Sequence, residues 1–208
     1  MLMACGAVFI ERWTARSGRA WLRPAYGAVI ALSGALIGLS TLPLLPPQTY
    51  IAYTRLMGFS EPKFENRKAS ALPQFLADRW GWPEMAAATA KVYNELPPDQ
   101  RAKTAIFGSN YGEAGAIDFY GPALGLPKAI SGHANYWYWG PRDYTGESMI
   151  VLCSTCEQLY QAFAKVEAKG TVGNPYAMAN ENFTIYLCTQ PKYWHTLQDV
   201  WPKLKNWN

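Results

Sequence analysis

The chain has 208 residues, room for one domain of ordinary size and something more. Half of it is hydrophobic and 16% is charged, well under the roughly 25% usual for soluble domains. The net charge of +4 is concentrated in Arg12, Arg16, Arg19 and Arg23 beside Glu11. After residue 45 the charges nearly balance, so nothing demands the basic face of a nucleic-acid binder.

Residues 1–10, MLMACGAVFI, are apolar but too short to cross a bilayer, and read as the end of a preceding transmembrane helix. The arginine-rich segment 11–23 reads as a short cytoplasmic loop. Residues 24–45 then carry no ionisable side chain except Tyr26. That run meets the length needed to span a bilayer, about 20 residues, and Pro43, Pro46 and Pro47 end it. A buried soluble helix or a secretory signal are the alternatives. A helix of this length rarely lacks a polar face in a soluble core, and TLPLLPP is no cleavage site. Basic loops stay inside, so residues 46–208 are expected on the extracytoplasmic side. Gly34 and Gly38, with Gly27, would let neighbouring helices approach closely.

Residues 46–72 read as a juxtamembrane connector whose Tyr50, Tyr53 and Phe59 suit a membrane surface. An ordinary linker helix fits them equally. Residues 73–208 read as an α/β domain. Pro83 opens a helix through PEMAAATAKVYNEL. KTAIFGSN, AIS at 129–131, SMIVLCST and FTIYLCTQ read as strands. YGEAGAIDFYG, CEQLYQAFAKVEAKG and YWHTLQDVWPKLKNW read as helices. The alternation predicts a mainly parallel sheet covered by helices. With parallel strands, Ser109, Asn110, Ser154, Thr155, Thr189 and Gln190 would share the rim where such sheets gather ligands.

Two segments stand out as a site. GSNYGEAG has glycines at 108, 112 and 115 leading into a helix, a turn able to hold an anion. Its spacing fails the dinucleotide fingerprint. Glu113 in the first helical turn suits the helix dipole better than acid–base duty, since no second carboxylate has a spacing that fixes a catalytic pair. In SGHANYWYWGP, His133 and Asn135 offer hydrogen bonds and the rings that follow offer stacking faces; cover for a sheet edge is the other reading. The substrate-contact set is therefore Asn110, Tyr111, Glu113, His133, Asn135, Trp137 and Trp139. No metal site or cofactor is expected, because His195 is the only other histidine. Cys153 and Cys156 have dithiol spacing. They are open to three readings: free buried thiols, a disulfide with each other, or a bridge from Cys153 to Cys188. A thiol–disulfide enzyme would further need a depressed thiolate pKa.

PQFLADRWGW (73–82), VYNELPP (92–98), IFGSNYGEAGAIDFYGPALGLPKAISGH (106–133) and YWYWGP (136–141), with the apolar span, resemble the C-terminal part of bacterial family 39 membrane glycosyltransferases. These are dolichyl-phosphate-mannose protein mannosyltransferase-like enzymes, related to the aminoarabinose transferases of lipid A. The resemblance implies a multi-pass plasma (inner) membrane enzyme that moves a sugar from a polyprenyl-phosphate donor to an extracytoplasmic glycan, lipid or protein acceptor. The family's catalytic acidic residue sits in an early outward loop among spans that this chain does not contain. No catalytic residue is carried over, and this part is expected to assist donor-headgroup or acceptor binding. CSTC departs from the family pattern. The alternative is a membrane-anchored glycan- or peptide-binding module without enzymatic activity. Expected partners are membrane lipid, further helices of the same enzyme, and the sugar donor and acceptor, with no nucleic acid.

Overall fold

The computed structural model describes residues 2–15, 18–59, 70–153 and 156–207, with side chains from residue 5 onward. Arg16, Ser154, Thr155 and the polar stretch 60–69 of the connector lie outside the described residues. The chain divides into two units, Met1–Ser60 and Glu61–Asn208.

The first unit is helical: α1 (Leu2–Thr14), α2 (Leu22–Thr41) and α3 (Pro47–Leu56). α1 continues past Ile10 into the stretch expected to be a loop. Its last turn is tied to α2 by Arg23, whose Nε donates to Thr14 Oγ1 at 3.1 Å. α2 is long and apolar enough to cross a membrane, and none of its side chains is buried within the chain. Val29, Ile30, Leu32 and Ile37 are all more than half exposed. That exposure sets it apart from a soluble core helix, which would bury a stripe. Space around Gly27, Gly34 and Gly38 is open. α2 stops before Pro43, and α3 starts with Pro47 at the position where a missing N–H costs nothing. The hydroxyls of Tyr50 and Tyr53 donate to the carbonyls of Ser40 and Leu36 at 3.0 and 2.6 Å. So two aromatics expected at a membrane surface spend their polar tips on α2.

The second unit is mixed α/β. It runs α4 (Gln74–Ala77), α5 (Trp82–Asn94), α6 (Pro98–Arg101), β1 (Thr104–Gly108), α7 (Tyr111–Tyr120), β2 (Ser148–Cys153), α8 (Glu157–Ala162), β3 (Phe163–Thr171), β4 (Thr184–Pro191) and α9 (Leu197–Val200). 3₁₀ turns cover Gly121–Leu124, Ala134–Trp139, Ala179–Glu181 and Trp201–Leu204. Ile130 of the AIS segment forms only an isolated parallel bridge with Phe107. The strand order is β1-β2-β4-β3. β1 and β2 are parallel, as the strand–helix–strand pattern predicts, whereas β4 is antiparallel to both β2 and β3. The expected mainly parallel sheet is thus corrected to a mixed one.

The cause lies in residues 163–171, expected to continue a helix. β3 carries Lys165, Glu167 and Lys169 at every second position. That period puts all three on one face of a strand, where Glu167 pairs with both lysines. On a helix, residues two apart do not face each other. Once this segment is extended, β4 returns beside it as a hairpin partner and runs against β2. The C-terminal helix expected over residues 193–207 likewise shrinks to α9 and one 3₁₀ turn.

β2 is buried at all its positions, because both faces of the sheet are covered. Ile106, Ile150, Leu152, Ile185 and Leu187 face α5 and α7. Ala105, Met149, Val151, Cys153 and Cys188 face the opposite way, toward Phe163, Leu197 and Trp201.

Candidate functional site

The two segments singled out in the sequence come together at the carboxyl end of β1. Asn110 is the N-cap of α7 and forms a reciprocal capping box with Glu113. Asn110 Oδ1 accepts from the Glu113 amide at 2.9 Å. Glu113 Oε2 accepts from the amides of Ser109 at 2.5 Å and Asn110 at 3.4 Å. The amides of this glycine turn are therefore taken by the protein's own carboxyl group, which leaves these two no role for a phosphate.

Antiparallel β4 changes who else reaches this rim. Thr189 pairs with Ser148 at the far end of β2, so Thr189 and Gln190 are absent from the rim. The segment before β4 arrives instead, carrying Glu181. Asn110 Nδ2 donates to Glu113 Oε1 at 3.0 Å and to Glu181 Oε1 at 3.4 Å, and Asn180 Nδ2 donates to Glu181 at 2.9 Å. Glu113 is 2% exposed. Burial, reinforced by the nearby Glu181 carboxylate, pushes its pKa up to about 8, against the pull of the two amides. Sequence spacing could not reveal this neighbour, which lies 68 residues away and depends on the reversed strand.

His133 stands beside Tyr111. The Tyr111 amide donates to His133 Nδ1 at 3.3 Å, and the two rings lie 5.0 Å apart. With Nδ1 accepting, the neutral ring carries its hydrogen on Nε2. The backbone here is pinned from the C-terminal tail: Asn206 donates to Gly132 O at 2.9 Å, and Ala134 donates to Asn206 O at 3.0 Å. Only glycine allows this, because a Cβ on residue 132 would sit 1.9 Å from Leu204 O.

The aromatic run Ala134–Trp139 forms one 3₁₀ turn that splits its rings. Trp137 turns inward and exchanges hydrogen bonds with Trp201, each indole N–H donating to the other's backbone carbonyl at 2.9 Å. Lys205 Nζ lies 4.3 Å from the Trp137 ring. Trp137 therefore anchors the turn rather than offering a free face. Tyr138 and Trp139 are exposed, as are Tyr111 and Asn135. The 3₁₀ geometry explains the split, since successive residues point about a third of a turn apart.

A residue outside the expected contact set, Asp118, holds this arrangement up. Asp118 Oδ1 accepts from the Ala129 amide at 2.8 Å, and Oδ2 from Tyr136 Oη and Arg142, both at 3.3 Å. Burial first, then the Asp118 charge, lifts the Tyr136 pKa to about 12, so its hydroxyl stays a donor. The available signal was a lone carboxylate in the apolar run AIDFYG.

Cys153 and Cys156 form a disulfide across the end of β2 and the start of α8. A bridge from Cys153 to Cys188 is ruled out by the strand reversal, which sets Cys188 opposite Met149. Cys188 is free and buried, and burial pushes its thiol up to about 12. Among the described residues no group of three or more His, Cys, Asp or Glu is placed to hold a metal.

No protein-family model, curated protein or solved structure matches the chain. The chemistry must therefore be argued from the site itself. It offers exposed aromatic faces at Tyr111, Tyr138 and Trp139 beside a backbone pinned by the C-terminal tail. Such a surface suits the C–H faces and hydroxyls of a sugar.

Proposed function

We propose that this chain is a membrane-anchored, extracytoplasmic binding part of a polyprenyl-phosphate-dependent sugar transferase, contacting donor headgroup or acceptor through Tyr111, His133, Asn135 and Trp139. Asn110 and Glu113 brace that surface, and Trp137 anchors it from below. One observation carries the reading: Tyr111 and His133, near the two ends of the segment 106–133 that resembles family 39 glycosyltransferases, meet in a single surface. α2 supplies a helix able to sit in lipid, and the arginines before it favour the inner face, which would direct the second unit outward. The carboxylates of the surface serve as caps and anchors, and catalysis belongs to residues outside this chain. The reaction partners are a polyprenyl-phosphate sugar and a glycan, lipid or protein acceptor in the plasma membrane of a multi-pass assembly.

The test uses the full chain in lipid nanodiscs and a polyprenyl-phosphate hexose with a photoreactive group on the sugar. Label is expected in the peptides holding Tyr111, His133 and Trp139, reduced at least fivefold by Tyr111→Ala with Trp139→Ala, with no transfer by the chain alone. Transfer by the chain alone would overturn the non-catalytic assignment. Label confined to α2 would remove the surface. Equal labelling by a soluble glycan would favour a membrane-anchored glycan-binding module.

A further inference from the structure

The two faces of the sheet are covered unequally. α5 and α7, of 13 and 10 residues, close one face. The other is roofed by α8, α9 and one 3₁₀ turn, of 6, 4 and 4 residues. Such short pieces leave a hollow of about 450 Å³ between sheet and roof, open on one side. Protein interiors hold few voids larger than a water molecule, and clefts that enclose small ligands start near 300 Å³.

The lining is sorted by polarity. Met149 and Val151 of β2 form the floor with Phe163, and Leu159, Leu197 and Leu204 form the walls. At the mouth stand Lys203 and Lys205 with Gln158 and Asn206. Among the described residues that line the hollow there is no carboxylate. Lys205 is held in place: its ammonium lies 4.3, 5.1 and 5.2 Å from the rings of Trp137, Tyr138 and Trp207. Asn206, the next residue, forms an isolated parallel bridge with His133. So the mouth carries positive charge, held in place at Lys205, and the depth has none of either sign.

We propose that this cavity binds a single-chain anionic amphiphile, its alkyl or acyl tail on Met149, Val151 and Phe163 and its anionic head between Lys203 and Lys205. A neutral apolar ligand would leave the positive mouth without a counter-charge, and a free small anion would leave the apolar depth empty. Tail burial supplies most of the affinity and grows with each methylene removed from water. The head fixes orientation. This goes beyond the sugar-contact reading and does not depend on it, since the aromatic rim lies outside the cavity.

The full chain in neutral phosphatidylcholine nanodiscs is titrated with a decyl phosphate that carries a photoreactive diazirine near the tail end. Label is expected on peptides of β2 and of residues 194–204, and unlabelled decyl phosphate competes for it. Lys203→Gln with Lys205→Gln, exposed side chains whose loss spares the core, weakens competition at least tenfold. Inorganic phosphate leaves the label in place, and decyltrimethylammonium competes at least tenfold less well than decyl phosphate. Met149→Trp, which fills the floor, abolishes labelling; where that variant misfolds, the lysine pair still decides. Label found only on α2, equal competition by the cationic amphiphile, protection by inorganic phosphate alone, or unchanged competition in the lysine variant would each overturn the proposal.

Discussion

Replacing Glu113 by glutamine tests whether this buried carboxyl holds a proton in the folded chain. The folded group titrates near 8 against about 4.5 in its ordinary state. Below pH 4.5 both folded and unfolded chains carry the proton, and burial exacts nothing. Between about 4.5 and 8 the unfolded chain releases the proton while the folded one keeps it, so stability falls as pH rises, by up to about 1.4 kcal/mol per pH unit. Glu113 is 2% exposed, so solvent screens little of this, and the accumulated loss is of the order of a few kcal/mol by pH 8. Glutamine also serves at this cap position and can still accept from the Ser109 amide, while forfeiting the bond from Asn110 Nδ2, worth about 1 kcal/mol. Glu113→Gln should therefore be slightly less stable than the parent at pH 5 and more stable at pH 8.5, with a flatter profile between. Urea unfolding of nanodisc-held chain, followed by tryptophan fluorescence across that range, measures it. Parallel profiles for parent and variant would refute a raised pKa for Glu113.

Asp118→Ala strands the Ala129 amide, Tyr136 Oη and Arg142 together, and should cost about 2–4 kcal/mol in the same unfolding assay. Cys156→Ser opens the disulfide and should cost about 2 kcal/mol for so short a loop; adding reductant should lower the parent's midpoint similarly and leave the variant's unchanged. Trp201→Phe and Trp137→Phe each remove one of two reciprocal indole–carbonyl bonds, at about 1 kcal/mol apiece. Their double variant should show coupling in a double-mutant cycle, and strict additivity would contradict the reciprocal geometry. Lys165→Val with Lys169→Val strips charge from edge strand β3 and should produce self-association in size exclusion, because charged edges oppose strand-to-strand pairing.

Several parts of this fold are legible in the sequence for plain reasons. α2 announces itself by length and lack of charge, β1 and β2 by short apolar runs, and α7 by Asn110 and Glu113 spaced as cap and third residue. What misled was β3. Glu157 to Ala168 offers good helix formers, and propensity favours continuing the helix. Only tertiary pairing with β4 overrides that, and the Lys-x-Glu-x-Lys alternation is its one local mark. That single reversal then moves everything at the rim: Thr189 leaves, Glu181 enters, and Cys188 ends away from Cys153. The aromatic run shows a similar limit. Composition identified a ring-rich turn, but not that Trp137 would face inward to Trp201, because the partner lies 64 residues away.

Asn206 reaching across to Gly132 and Ala134 has a consequence for biosynthesis. The polypeptide emerges from the ribosome at about 5–20 residues each second, amino end leading. While residue 206 is still inside the exit tunnel, the His133 turn has no rail to lie on and Lys205 cannot reach its cage of rings. The surface around His133 therefore cannot set until residue 206 has emerged.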